Sequence, residues 1–253
     1  MKTIGIIPAR FGSNRLPGKP LIDLHGKSLV QRVYEQVQKA RRIDFVLVAT
    51  DDIRIVDHVL GFGGKAVLTS PDHISGTDRI AEAFQGAQGE FSDAEIIVNI
   101  QGDEPFIDPH NLDALVESML SNPDIPIATL VCSIPDAARL FDPNTVKAVL
   151  DNTGKALYFS RQAIPYLRGQ AKEKWLQLQP FYQHVGVYGF RSGTLADVVK
   201  LPVSDLEKAE SLEQLRWLSN GYSIQTIQVV DPGFGIDTPE DLERARIILK
   251  DNL

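Results

Sequence analysis

Three cations, Arg10, Arg15 and Lys19, stand within ten positions of one another in PARFGSNRLPGKPL, and no acidic residue precedes Asp23. The stretch follows a short apolar run, TIGII, and is rich in Gly and Pro. A loop that leaves a first strand and leads toward a helix is where α/β proteins hold phosphates. Backbone N–H groups converge there, and glycine lets an anion approach closely. The loop reads as a phosphate cradle: the chain around Pro8, Ala9, Arg10, Gly12 and Ser13 wraps the anion, and Arg10, Arg15 and Lys19 neutralise it. Pro17 and Pro20 stiffen the loop, so less entropy is lost on binding. The plain alternative is a solvated basic turn. Two familiar phosphate loops do not match. G-x-G-x-x-G lacks a third glycine beside Gly12 and Gly18, and a Walker A loop requires four residues between glycines and a hydroxyl after the lysine, where this chain has five and Pro20.

Carboxylates suited to a cation lie far away in the chain. EIIVNIQGDEPFI runs a strand-like segment into Asp103, and residues just past strand C-termini in an open α/β sheet face the ligand crevice. A turn aspartate ahead of a helix at Pro109 explains the same residue equally well. Asp237, in PGFGIDTPEDL, precedes the last helix, but Thr238 already fills the capping role there and leaves Asp237 free for other work. Mg²⁺ takes a few carboxylate oxygens completed by phosphates and water, a demand that two converging aspartates would meet. HISGTDRIAEAF places Ser75, Gly76 and Thr77 at a helix start. Capping accounts for the hydroxyls, though not for Arg79 in the first turn, where the helix dipole disfavours a cation.

These residues need a scaffold, and the chain of 253 residues is long enough for one large domain or two closely joined ones. The formal charge of −7 argues against a nucleic-acid or membrane-surface binder, so an anion must be held by a local cluster. The one cysteine, Cys132, excludes an internal disulfide and a multi-cysteine metal site. The N-terminal apolar run is too short for a signal peptide, and no apolar run is long enough for a bilayer span, so a soluble, cytoplasmic protein is expected. TIGII, FVLVAT, KAVLT and AEIIVNI read as strands covered on both faces. SLVQRVYEQVQKARR, DIRIVDHVLGF and TDRIAEAF read as amphipathic helices between them. The first half is therefore β-α-β-α-β, a doubly wound, mainly parallel α/β sheet. Beyond Pro123, KAVLD, KALYFS and YQHVGVYGF suggest a smaller mixed or antiparallel subregion. One longer helix, SDLEKAESLEQLRWLSN, follows, then a strand SIQTIQVV and a final helix in TPEDLERARIILK. We expect one domain, 1–253, with a nucleotide-binding half (1–122), a sugar-binding and dimerising subregion (123–230), and a metal-ligand loop with the C-terminal helix (231–253).

IPARFGSNRLPGKPL resembles the nucleotide-binding loop of the sugar nucleotidyltransferases that activate acidic sugars with CTP. The likeness is closest to the 3-deoxy-manno-octulosonate cytidylyltransferase (CMP-Kdo synthetase) family. It continues through SGTDRIAEA, VNIQGDEPFI, ALYFSRQAIP, QHVGVYGFR, LEQLRWL and GIDTPEDLERA, in order along the whole chain. The resemblance implies that Asp103 and Asp237 bind catalytic Mg²⁺ with Gln101 nearby, and that Ser75, Thr77 and Arg79 belong to the cytosine and triphosphate pocket. It assigns Gln101, Arg161, Arg168, His184, Tyr188, Glu213 and Gln214 to the sugar site. Taken by itself, a histidine such as His184 on a strand is an ordinary structural residue; its spacing allows it to share a face with Tyr188. The implied reaction is Mg²⁺-dependent attack of the anomeric hydroxyl of Kdo on the α-phosphorus of CTP, with loss of pyrophosphate, catalysed by a homodimer supplying lipopolysaccharide synthesis. Lys19, Arg15, Asp103 and Asp237 carry the chemistry in this reading. A CMP-sialate synthetase is the nearest rival, though it usually reads Lys-Asn where this chain has Lys19-Pro20. A nucleotide-sensing module without turnover is the rival from another class.

Overall fold

The computed structural model describes residues 2–12, 16–86, 89, 91 and 93–251. It forms two compact units, Met1–Glu117 with Gly233–Leu253, and Ser118–Pro232.

The first unit is built on four parallel strands, β1 (Lys2–Ala9), β2 (Phe45–Thr50), β3 (Ala66–Leu68) and β4 (Ala94–Asn99), in the order β3-β2-β1-β4. Ile4, Ile6, Ile7, Val48, Ile97 and Val98 are fully buried, as strands covered on both faces require. The helices α1 (Leu29–Val37), α2 (Ile53–Gly61) and α3 (Gly76–Gly86) connect them, and α4 (Pro109–Ser121) follows β4. Each start has a chemical cause: Ser28, Asp52 and Ser75 accept the backbone N–H groups of Gln31, Arg54 and Asp78. On α1 the buried set Leu29, Val30, Val33, Tyr34 and Val37 recurs at helical spacing. The strand order reverses between β1 and β4, which places the crevice of an open α/β sheet beyond the C-termini of those two strands. The unit closes with the C-terminal helix, Pro239–Asp251. There Thr238 Oγ1 accepts from Asp241 N–H (3.2 Å), and Asp241 Oδ2 accepts from Thr238 N–H (2.9 Å), a reciprocal cap.

The second unit is mixed. Its strands are β5 (Ile127–Ser133), β6 (Lys147–Leu150), β7 (Ala156–Ser160), β8 (Tyr182–Arg191) and β9 (Ile224–Val229). β5 runs parallel to β9 and antiparallel to β8, and β6 pairs antiparallel with β7 and β8. The α/β class with a mainly parallel part and a mixed subregion is thus the observed one. Strand β5 has no counterpart in the sequence reading, because IATLVCS lies between segments that already looked complete. The single helix expected over 204–220 is two, α8 (Asp205–Glu210) and α9 (Gln214–Ser219), after α5 (Ala137–Phe141), α6 (Trp175–Leu178) and α7 (Ser192–Val198). Ser211 adopts a left-handed conformation, φ 51°, and ends α8. The turn lets Leu212, Leu215 and Trp217 be buried while α8 itself buries no residue. A bidentate pair, Arg216 to both oxygens of Glu207 at 2.7 and 2.6 Å, ties the two helices across the break.

Candidate active site

A cavity of about 410 Å³ opens in the first unit just beyond β1 and β4. Pro8, Ala9, Arg10 and Lys19 line it from the opening loop. Ser75 and Arg79 line it from α3 and its cap, and Gln101, Asp103 and Asp237 complete it. Nine of the site residues expected from the sequence are therefore brought to one place, with Pro20 and Gly76 beside them. Thr77 is buried at the start of α3, and Gly12 lies on the loop without lining the cavity. Ser13 and Arg15 lie outside the described residues.

Lys19 is the hinge of the site. Gly18, with φ 65°, starts the short 3-10 turn Lys19–Leu21. From that turn Lys19 Nζ reaches Asp103 Oδ2 at 2.7 Å and Asp237 Oδ1 at 2.9 Å. Two carboxylates 134 positions apart in sequence thus face one ammonium group. Asp103 is held there by close packing: a Cβ on Gly102 would stand 2.7 Å from the Pro8 carbonyl oxygen, so only glycine lets the turn after β4 lie against the end of β1. The loop bearing Asp237 is laced to the same turn. Ile236 N–H donates to the Asp103 carbonyl at 2.8 Å, and Phe234 stacks on Phe106 with ring centroids 4.8 Å apart. Asp237 and Thr238 N–H groups both donate to Asp241. Burial would raise the Asp241 carboxyl, but these donors hold it below its ordinary value.

Arg79 explains its odd place in the first turn of α3. It is buried, and its guanidinium donates to Thr69 Oγ1 (2.6 Å), the Ser70 carbonyl (3.3 Å) and Asp51 Oδ2 (3.2 Å). Asp51, at the end of β2, is a residue the sequence reading missed, although its position past a strand C-terminus follows the same rule that singled out Asp103. Glu104 was missed as well. Burial, then the neighbouring Asp103 and Asp237, push its carboxyl up to about 8, and among the described residues its Oε2 has no hydrogen-bond partner. His73, another cavity residue, is paired with Glu82, which also accepts Ser70 N–H at 2.9 Å.

Among the described residues no group of three or more His, Cys, Asp or Glu is placed to hold a metal ion. Two aspartates alone suit a hard divalent cation that keeps open positions for phosphate and water, as Mg²⁺ does, better than a cation that wants a closed protein cage. Their shared orientation toward a positive group is the observation that fits.

The remaining candidates lie in the second unit. The β5–β8 register places Thr129 opposite Tyr188 and Leu130 opposite Val185, so β8 carries a two-residue bulge. Two extra residues preserve side-chain parity, and the His184 and Tyr188 rings meet at 5.2 Å. Thr129 Oγ1 lies 2.7 Å from the Val187 carbonyl and 3.0 Å from His184 Nε2, a pattern satisfied by neutral His184 protonated on Nε2. Burial pushes that imidazole down to about 4. Tyr188 packs edge-on against Trp217 (5.0 Å), and burial, with the charge of Glu213, pushes its phenol well above the ordinary value. Gln214 is also buried; among the described residues its Nε2 and the Tyr188 hydroxyl have no hydrogen-bond partner. Arg161 is differently employed: its guanidinium donates to the carbonyls of Glu210 (2.7 Å), Pro143 (3.1 Å) and Ser211 (3.4 Å). Arg168 is exposed, beside Gly169 with its φ of 77°.

The comparisons agree with this architecture. The model of the cytidylyltransferase family matches residues 4–227. A 3-deoxy-manno-octulosonate cytidylyltransferase of Cytophaga hutchinsonii is 51% identical over 242 residues, covering 95% of each chain. One from Escherichia coli is 44% identical over 252 residues, covering 100% of this chain and 98% of its own. A solved structure of a CMP:2-keto-3-deoxy-manno-octonic acid synthetase complexed with CTP is similar with a TM-score of 0.92, 43% identity and full coverage of both chains. This chain belongs to the cytidylyltransferase family, within its 3-deoxy-manno-octulosonate cytidylyltransferase group, and is a nucleotidyltransferase.

Proposed function

We propose that the chain transfers CMP from CTP to the anomeric hydroxyl of Kdo, with Mg²⁺, releasing pyrophosphate and CMP-Kdo. The observation that carries the reading is the convergence of Asp103 and Asp237 on Lys19 at the mouth of the phosphate loop. The reaction asks mainly for positioning and charge neutralisation. Arg10 and Lys19 meet the polyphosphate, and the fixed loop ends of β1 and β4 orient it. When phosphate arrives, Lys19 has an alternative anion and can exchange its carboxylate contacts for phosphate oxygens. Asp103 and Asp237 would then be the residues to hold Mg²⁺, which when bound would supply charge neutralisation on the phosphates and make the attacking hydroxyl more acidic. Ser75 and the buried Arg79 shape the wall where the nucleoside lies, with Pro8, Ala9 and Gln101.

For the acceptor, the second unit offers two buried groups without hydrogen-bond partners among the described residues, Tyr188 Oη and Gln214 Nε2, beside neutral His184. A sugar acid rich in hydroxyls would satisfy both, with Glu213 as acceptor. Arg161 would act mainly by bracing the segment that carries Glu210 and Ser211, beside any direct contact to the sugar carboxylate. The family likeness supports a homodimer and a role in lipopolysaccharide synthesis. The lone cysteine suits the cytoplasm.

Pyrophosphate release from CTP and Mg²⁺, with Kdo and sialic acid supplied in turn, tests the assignment. Release with Kdo alone is expected. Release with sialic acid and not Kdo would reassign the acceptor, and release with neither would leave a nucleotide-binding module.

A further inference from the structure

The opening loop is held from behind by contacts that involve neither Asp103 nor Asp237. Phe11 follows Arg10, and its N–H donates to Asp51 Oδ1 at 3.1 Å, while the other Asp51 oxygen takes Arg79. Over the Phe11 ring lies Arg54, its guanidinium carbon 3.6 Å from the ring centroid. That is well inside cation–π range. Arg54 does not wander, because Asp52 fixes it with both carboxylate oxygens, at 2.8 Å to Nε and 2.5 Å to Nη2. Asp52 is itself the N-cap of α2, so the anchor is a helix end.

The same ring meets the far end of the loop. A Cβ on Gly18 would stand 3.3 Å from Phe11 Cζ, and Gly18 N–H donates to the Phe11 carbonyl at 3.3 Å. Phe11 therefore joins the outgoing limb, with Arg10 before it, to the returning limb, with Lys19 one residue past Gly18. From these contacts we infer that Phe11 and Arg54 form a clasp that positions Arg10 and Lys19 for the nucleotide's phosphates. Both are positioning residues. The Arg54 side chain is 60% exposed, so the clasp contributes little to global stability and acts on the loop. The inference rests on the cavity being the CTP site. A loop closed in advance loses less entropy on binding, and opening the clasp should therefore appear as weaker CTP binding.

The test uses the full chain, with CTP affinity measured by calorimetry in Mg²⁺ and steady-state kinetics beside it. Arg54→Ala and Phe11→Leu each weaken CTP binding roughly two- to fivefold, the scale of an exposed cation–π contact. The double variant is no weaker than the worse single one, and Phe11→Tyr restores wild-type affinity. The kcat/KM for CTP falls in step with the affinity, while the KM for Kdo and the melting temperature stay near wild type. Unchanged CTP affinity in Arg54→Ala, losses that multiply in the double variant, or a rise in the KM for Kdo matched by a lower melting temperature would overturn the clasp. If the wild type itself binds no CTP, the site reading has failed and the clasp falls with it.

Discussion

The two polar clusters of the molecule keep their groups ready by opposite means. In the first unit the groups are charged, partly open to water and neutralised by one another: Lys19 is 13% exposed, Asp103 30% and Asp237 55%. In the second the groups are uncharged and more enclosed, with an imidazole and a phenol whose ionisation burial suppresses. Internal ion pairing at a half-open site can be traded for an anion and a divalent cation at modest cost. Buried donors and acceptors left without partners instead reward a ligand whose hydroxyls complete them, and penalise one that cannot. The difference also separates two kinds of arginine. Arg10 faces the cavity, whereas Arg161 uses its fork on backbone carbonyls, and Arg216 uses its own on Glu207.

Breaking the charged cluster should give the largest effect on chemistry. Lys19→Ala lowers kcat/KM for CTP by roughly 10²–10³, as loss of a group aimed at developing charge does. Stopped-time pyrophosphate assays measure it, and a loss under threefold contradicts the role. The largest effect on folding belongs to the second unit. Arg216→Ala removes both donors from the half-buried Glu207 carboxylate and destabilises by about 1.5–3 kcal/mol. Urea unfolding reads the change, and a shift below about 1 kcal/mol would remove the pair from its bracing role.

The uncharged cluster predicts a pH dependence of definite sign. His184 has a folded pKa near 4 against an ordinary 6.5, so the folded state binds fewer protons there than the unfolded chain. Its contribution is complete above pH 6.5, declines as pH falls through the interval, and is exhausted below 4, amounting to about 3 kcal/mol in all. His184→Gln should flatten that part of a stability–pH curve; an unaltered slope means that other groups produce it. The smallest effect sharpens the division of labour. Arg161→Lys cannot reproduce three carbonyl contacts and should cost about 1–2 kcal/mol of stability with little change in the KM for CTP. If the KM for Kdo rises tenfold while the melting temperature holds, Arg161 is a ligand rather than a brace.

Much of the first unit was legible because its signals are local. Ile and Val runs mark strands buried on both faces, and in such a fold a strand end is also where a crevice opens, so Arg10, Lys19 and Asp103 could be expected to line one cavity. Asp51 sits just past the end of β2, where the same strand-end rule could have named it, whereas Glu104 does not differ in type or spacing from an ordinary turn residue, and its role comes from what packs on it. The second unit was less legible for a related reason. β5 was passed over although Pro and Asp residues bracket it on both sides (NPDIP before it, IPD after it), and the helix break at Ser211 depends on tertiary burial of Leu212 and Trp217 and on the Arg216–Glu207 pair, none of which has a local signature. Arg161 shows the same limit: a cation in an apolar stretch looks the same whether it awaits a carboxylate or braces a turn.

The most direct test of the account is turnover of Asp103→Asn and Asp237→Asn with CTP, Mg²⁺ and Kdo, measured as pyrophosphate release beside unfolding curves. The account predicts that each variant folds like the wild type yet loses roughly 10²–10³ of its rate. Near-wild-type turnover in either folded variant would contradict it.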